Sequence, residues 1–199
     1  MYQKDIEINK TFALALQNHQ KNNLKIAEKL YKKILISNPN NADVNNNLGI
    51  IYKEFGQFDK AINCYERAIA IHSNHPDAHN NLGLLLKELG EYKKAIKCYE
   101  NAIQINPNNA SALNNLGLVY RQLKKHKKAI QFYEEAIKIK PDLSVIYSNL
   151  GLAYKEMGEI QKTINCYQEV AKREPENLVN YYFLSELKTD ILNLNFKEK

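Results

Sequence analysis

The chain has 199 residues, of which 44% are hydrophobic and 25% are charged, a composition typical of a folded rather than a disordered protein. Seven glycines and five prolines are too few for an all-β fold built from many tight turns. Despite the net charge of +6, basic residues alternate with acidic ones, so we expect no nucleic-acid partner. The charged start differs from a signal peptide, and no apolar run approaches the roughly 20 residues that span a bilayer. We therefore expect a cytoplasmic protein without membrane insertion.

Two short motifs recur along the chain at a constant interval of 34 residues. The first is Asn-Leu-Gly, at 47–49, 81–83, 115–117 and 149–151, and the second ends at Tyr65, Tyr99, Tyr133 and Tyr167. A period of this length with two helical segments is typical of tetratricopeptide repeats, and the chain resembles that family. The resemblance implies an all-α fold: a right-handed α-α superhelix, or solenoid, of tetratricopeptide helix-turn-helix repeats.

The N-terminal repeat is predicted at 8–41 and matches the family least well. Ala15, Ala27 and Tyr31 fit the pattern, but the segment has no glycine, and Asn18 occupies the first aromatic position. A poorly matched end repeat can hide its apolar face in a dimer, so self-association through the end repeats is an open alternative.

Four more regular repeats are predicted at 42–75, 76–109, 110–143 and 144–177. Each has a glycine inside its first helix, where glycine costs about 1 kcal/mol relative to alanine. We therefore expect a neighbouring helix to pass too close to these glycines for a side chain. They are Gly49, Gly83, Gly117 and Gly151.

The turn between the two helices of a repeat lies seven residues after that glycine. Three repeats have a second glycine there, at 56, 90 and 158, and we expect it to adopt a left-handed backbone conformation. Asn22 and Lys124 take its place in the other two repeats. Prolines follow the second helices and prevent their continuation, whereas Pro76 begins a first helix.

The C-terminal segment, 178–199, is predicted to form a capping helix and a tail. Tyr181 and Leu184 fall where a sixth repeat would place core residues. The apolar residues near the end either extend this cap or contact a partner or a further domain.

The first helix of each repeat is expected to line the inner, concave surface, as the resemblance implies. When the Asn-Leu-Gly glycine is counted as position 8, positions 4, 7, 8 and 11 form the packed side, and positions 6 and 9 face away from it. With the flanking positions 5 and 12, the predicted peptide-binding residues are Asn46, Asn80 and Asn114; Asn47, Asn81, Asn115 and Asn149; Ile50, Leu84, Leu118 and Leu152; and Lys53, Lys87, Arg121 and Lys155.

A row of asparagines suits an extended polypeptide, because an amide offers both donors and an acceptor to backbone groups. We therefore predict a protein–protein interaction scaffold that binds an extended peptide segment in the concave groove. The row resembles that of O-linked N-acetylglucosamine transferase repeats. In the alternative interpretation, the asparagines only bridge neighbouring first helices. A second functional hypothesis is a substrate-recruiting arm of a larger glycosyltransferase or sulfotransferase, fused or in trans.

Other residue clusters favour packing or solvation over chemistry. Cys64, Cys98 and Cys166 share one repeat position and are interpreted as small apolar packing residues. The histidines within 72–79 lack a cysteine or carboxylate that completes a zinc site, and the basic cluster 124–128 falls at a turn. No phosphate loop or nucleophile motif is present. We expect no cofactor, no metal and no enzymatic activity.

Overall fold

A computed structural model describes residues 2–176 and 184–185 of the chain. It contains ten helices and no strand within that part, which confirms the all-α repeat fold. The helices are α1 (Tyr2–Gln20), α2 (Leu24–Ser37), α3 (Ala42–Glu54), α4 (Phe58–Ile71), α5 (Pro76–Glu88), α6 (Tyr92–Ile105), α7 (Ala110–Gln122), α8 (His126–Ile139), α9 (Ser144–Glu156) and α10 (Ile160–Arg173). Within the described part of the chain, none of them combines the length and apolar character that crossing a bilayer requires.

The odd-numbered helices are the first helices of the repeats, and the even-numbered ones are the second helices. From α3 onward each first helix begins at the first residue of a predicted repeat. The first repeat differs, because α1 begins at Tyr2 rather than at residue 8. No proline or glycine interrupts the added turns. Glu7, in the extension, pairs with Lys33 of α2 at 3.3 Å.

The chain divides into two compact units, Met1–Ile105 and Asn106–Lys199, called unit 1 and unit 2 below. Unit 1 contains α1–α6, and unit 2 contains α7–α10. Within each unit, a second helix packs against the first helix of its own repeat and against the first helix of the following repeat. In unit 1, α4 contacts α3 and α5 in this way, and in unit 2, α8 contacts α7 and α9.

This arrangement buries more of the first helices α3, α5 and α9 than the sequence pattern predicts. In α3, for example, Val44 and Ile51 at positions 3 and 10 are fully buried, with 0% exposure, whereas Lys10 and Gln17 at the same positions of α1 are exposed. The packed side is wider because second helices cover the first helix from two directions. An inner face remains on each first helix, centred on positions 6, 9 and 13.

The helix glycines allow a tyrosine ring to cross the first helix. A Cβ atom added to Gly49 would lie 2.6 Å from Cε1 of Tyr65, and one added to Gly117 would lie 2.6 Å from Cε1 of Tyr133. Both rings are almost completely buried, with exposures of 1% and 0%. Glycine is therefore favoured at these two positions, because a side chain would collide with the tyrosine of the same repeat.

The turns between the helices adopt the expected left-handed conformation. Gly56 and Gly158 have φ angles of +70° and +76°. Asn22 and Lys124 hold the same region without glycine, at φ 60° and 58°. The Cβ atom of a lysine is sterically disfavoured in this region, whereas glycine has none, so the backbone at Lys124 is strained.

The structure describes only two residues of the predicted cap. Leu184 is helical and packs against Ile164 and Tyr167 of α10, as expected for the equivalent of a core position in a sixth repeat. Tyr181 and the remainder of 178–199, apart from Ser185, lie outside the described residues.

Candidate functional site

Four predicted peptide-binding residues of unit 1 line one pocket on the inner face of α3 and α5. Ile50 and Lys53 come from α3, and Asn81 and Leu84 come from α5. The pocket has a volume of about 250 Å³, and its lining is completed by Glu54 and Tyr65. The sequence positions that were assigned to separate amide, aliphatic and basic rows thus meet in one concavity.

The tyrosine in this lining was not among the predicted site residues. The ring of Tyr65 passes over Gly49, and the residue reaches the inner face of the neighbouring first helices. Burial raises the pKa of its hydroxyl far above the usual range, and the nearby Cys64, Glu88 and Glu54 add to the effect. The signal in the sequence was the constant pairing of the helix glycine with the tyrosine sixteen residues later.

Asparagines of consecutive repeats are joined by hydrogen bonds within each unit. Nδ2 of Asn81 donates to Oδ1 of Asn46 at 3.0 Å, and Nδ2 of Asn149 donates to Oδ1 of Asn114 at 2.9 Å. Bridging between first helices is therefore real at these two places. Asn46 is only 6% exposed and serves mainly this bridge, whereas Asn81 also lines the pocket.

Charged side chains of consecutive repeats pair in the same direction. Nζ of Lys53 lies 2.8 Å from Oε1 of Glu88 in unit 1, and Nη1 of Arg121 lies 2.8 Å from Oε1 of Glu156 in unit 2. Glu156 also approaches Nδ1 of His126 at 3.1 Å. Such partly exposed pairs contribute at most about 1 kcal/mol each, so their main effect is to fix where charge lies on the inner face.

Lys87 and Glu54 lie on the first helices of unit 1 and have no ion pair in the described part of the chain. Lys87 is half-buried; burial lowers the pKa of its ammonium, Glu88 raises it and Lys53 lowers it further. Glu54 is exposed and lies at the edge of the pocket. Both are therefore available to groups of opposite charge on another molecule.

The other predicted site residues also lie on first helices, and most are half-buried. Lys155 is the exception, because it is exposed. The half-buried set consists of Asn47 and Asn80 in unit 1 and of Asn114, Asn115, Leu118, Arg121, Asn149 and Leu152 in unit 2.

The cysteines and histidines take structural roles. All three cysteines are free, and burial raises the pKa of the Cys64 and Cys98 thiols to about 11. His75 caps α5, because its Nδ1 accepts the backbone N–H of Ala78 at 3.3 Å. Nε2 of the buried His79 lies 3.1 Å from the Ser73 carbonyl. Among the residues that the structure describes, no group of three potential ligands is arranged as a metal site.

The basic cluster 124–128 spans the turn before α8 and the first residues of that helix. Lys124, Lys125, Lys127 and Lys128 are exposed, and Nζ of Lys128 lies 5.3 Å from the ring centroid of Tyr120. This contact places one cation of the cluster over an aromatic side chain of the same repeat.

Comparison with known families agrees with this architecture. Sequence models described as tetratricopeptide repeat match residues 30–63, 75–142 and 145–177, and a model described as TPR repeat matches 51–90. No curated protein matches the sequence at a significant level.

Several solved structures resemble the chain. MamA is 29% identical with a TM-score of 0.72, and the match covers 82% of this chain and 96% of MamA. PilF of Pseudomonas aeruginosa is 20% identical with a TM-score of 0.81, over 96% of this chain and 93% of PilF. A tetratricopeptide repeat protein from Parabacteroides merdae is 23% identical with a TM-score of 0.74, over 90% and 72%. The last two likenesses bear on the fold alone.

Proposed function

Since the chain belongs to the tetratricopeptide-repeat family, we propose that it is a non-catalytic scaffold that binds an extended segment of a protein partner on the inner faces of its first helices. The observation that carries the proposal is the pocket of unit 1. There an amide, two aliphatic side chains and charged groups from two consecutive repeats converge on one concave surface.

Asn81 is suited to bind the backbone of such a segment. One of its N–H groups is used in the bridge to Asn46. Its Oδ1 and its second N–H have no hydrogen bond in the described part of the chain. An extended strand presents one N–H and one C=O per residue, so it can satisfy both groups without regard to sequence.

Ile50 and Leu84 supply the apolar part of the contact. They lie on neighbouring first helices and are half-buried, so each keeps a surface that a partner side chain can cover. Burial of apolar surface contributes about 25 cal/mol per Å², whereas the backbone hydrogen bonds fix register and direction.

The test separates amide binding from the bridge between helices. Random peptides displayed on phage are selected on the wild-type protein, and the enriched peptides are measured by fluorescence anisotropy against Asn81→Ala and Asn46→Ala. Both variants break the bridge, but only Asn81→Ala removes the amide from the pocket. We expect Asn81→Ala to weaken binding about 2- to 10-fold, because one or two hydrogen bonds of about 0.5–1.5 kcal/mol are lost.

Asn46→Ala is expected to bind within about twofold of the wild type once its unfolding in urea shows that it is folded. Equal losses in the two variants would mean that the bridge matters and not the pocket amide. Wild-type affinity in Asn81→Ala would contradict the proposal.

A further inference from the structure

The pocket on α3 and α5 has a chemistry of its own beyond that of a general peptide groove. Its volume of about 250 Å³ is below the roughly 300–1,000 Å³ of typical small-molecule sites, so it suits a single side chain. Ile50 and Leu84 are its aliphatic residues, and Tyr65, which is only 1% exposed, adds an aromatic ring.

The polar groups of the pocket are biased towards acceptors. The ammonium of Lys53 is engaged by Glu88 at 2.8 Å, so it is neutralised within the protein. Glu54 has no ion pair or hydrogen bond in the described part of the chain. The Oδ1 of Asn81 is likewise without a donor, because the bond to Asn46 uses an N–H. Two acceptors therefore lack a proton donor.

The charges around the tyrosine agree with this count. Glu88 and Glu54 both act on the Tyr65 hydroxyl in the direction that disfavours an anion, although burial is the larger influence. Lys87 has no ion pair in the described part of the chain and interacts electrostatically with Glu88 and Lys53, but it is not part of the pocket lining. Of the two charged residues in the lining, Lys53 is paired with Glu88, whereas Glu54 lies beside the apolar wall without an ion pair in the described part of the chain.

We infer that this pocket binds a lysine or arginine side chain of the peptide segment, with its aliphatic stem against Ile50 and Leu84 and its cationic head at Glu54 and the Asn81 carbonyl. Long basic side chains cover apolar surface with their methylenes while the charged group stays at a polar edge. The inference rests on the proposed function, because it names the side chain that the same inner face selects.

The test compares peptides that differ only in charge. Peptides selected on the wild-type protein are resynthesised with each arginine replaced by citrulline, which keeps the shape and removes the charge. Lysine-containing peptides receive norleucine at the same place. Affinities are measured for the wild type, for Glu54→Gln, and for Glu66→Gln as control. Glu66 is an exposed residue of α4 outside the pocket lining, so the control has the same change in net charge.

We expect basic residues to be enriched next to an aliphatic residue in the selected peptides. For one arginine or lysine position, removal of the charge weakens binding to the wild type and to Glu66→Gln about 2- to 5-fold. In Glu54→Gln the charged and neutral peptides bind equally. The preference also decreases at high salt, because the ion pair is partly exposed.

The outcomes distinguish this inference from the proposed function. If Asn81→Ala weakens binding but Glu54→Gln and Glu66→Gln keep the same charge preference, the groove binds peptides and the cation pocket is refuted. If Glu66→Gln loses the preference as Glu54→Gln does, only bulk charge is at work and the inference is again refuted. If no peptide is enriched on the wild-type protein, both the proposed function and this inference fail.

Discussion

Replacement of the helix glycines by alanine tests how the tyrosine reaches the inner face. The two positions to compare are Gly117 and Gly151, which belong to consecutive first helices of unit 2. At Gly117 an added Cβ would lie 2.6 Å from Cε1 of Tyr133, and that ring is fully buried. At Gly151 the nearest atoms would be 3.2 Å and 3.3 Å away, on Cys166 and Tyr167, so the neighbours need to move by only a few tenths of an ångström.

The magnitude follows from two opposing effects. Alanine gains about 1 kcal/mol over glycine inside a helix, and this gain is common to both variants. Overpacking of a well-packed core costs about 1–3 kcal/mol, and that cost falls mainly on Gly117→Ala. We therefore expect Gly117→Ala to be about 1–2 kcal/mol less stable than Gly151→Ala. Ala15 already stands at this position beside the buried Tyr31, so the variant is expected to fold.

Thermal and urea unfolding followed by circular dichroism measure the difference. For a chain of this size, 1–2 kcal/mol corresponds to about 2–8 °C in Tm. Repeat arrays do not always unfold in a single step, and two substitutions in the same unit keep that complication equal in both variants. Equal stability of the two variants, or a less stable Gly151→Ala, would refute the explanation of the helix glycines by close approach of the tyrosine.

Two further predictions follow from the turns and the thiols. Lys124→Gly is expected to stabilise the protein by about 0.5–1 kcal/mol because it removes left-handed strain, and Asn22→Gly by less because asparagine tolerates that region; equal gains in urea unfolding would contradict this. Burial raises the pKa of Cys64 and Cys98 to about 11, so these thiols should react with a disulfide reagent at pH 8 about 100-fold more slowly in the folded than in the urea-unfolded chain. Because folding disfavours the thiolates, stability should also fall as the pH rises above about 8.5, and equal reaction rates or a flat pH profile would show that the thiols are not desolvated.

The repeat period predicted the helices well because each helix start, helix end and turn has a local cause in the sequence. Pro76 begins α5, and the prolines at 39, 107, 141 and 175 follow second helices that end two residues earlier. Glycine at 56 and 158 takes a conformation that most residues avoid. These signals act within a few residues, so a single sequence contains them.

The candidate site is formed by contacts between different helices, and the residue pattern of a single helix does not predict such contacts. The amphipathic pattern of α3 placed Asn46 and Asn47 together, but packing buries Asn46 and leaves Asn47 half-buried. The pair of Lys53 with Glu88 joins residues one period plus one residue apart. That spacing is visible in the sequence only when the rows of consecutive repeats are read against each other. The position of Tyr65 in the pocket required the three-dimensional path of the ring over Gly49.

The most direct test of peptide binding on the inner face is a methyl NMR titration of the isoleucine-labelled protein with a selected peptide. Ile50 lines the pocket, whereas Ile36 lies on α2 with 83% of its surface exposed and outside that pocket. We predict a saturable shift and peptide-to-methyl nuclear Overhauser effects at Ile50, with Ile36 unchanged. Shifts and contacts at Ile36 with an unperturbed Ile50 would contradict the account.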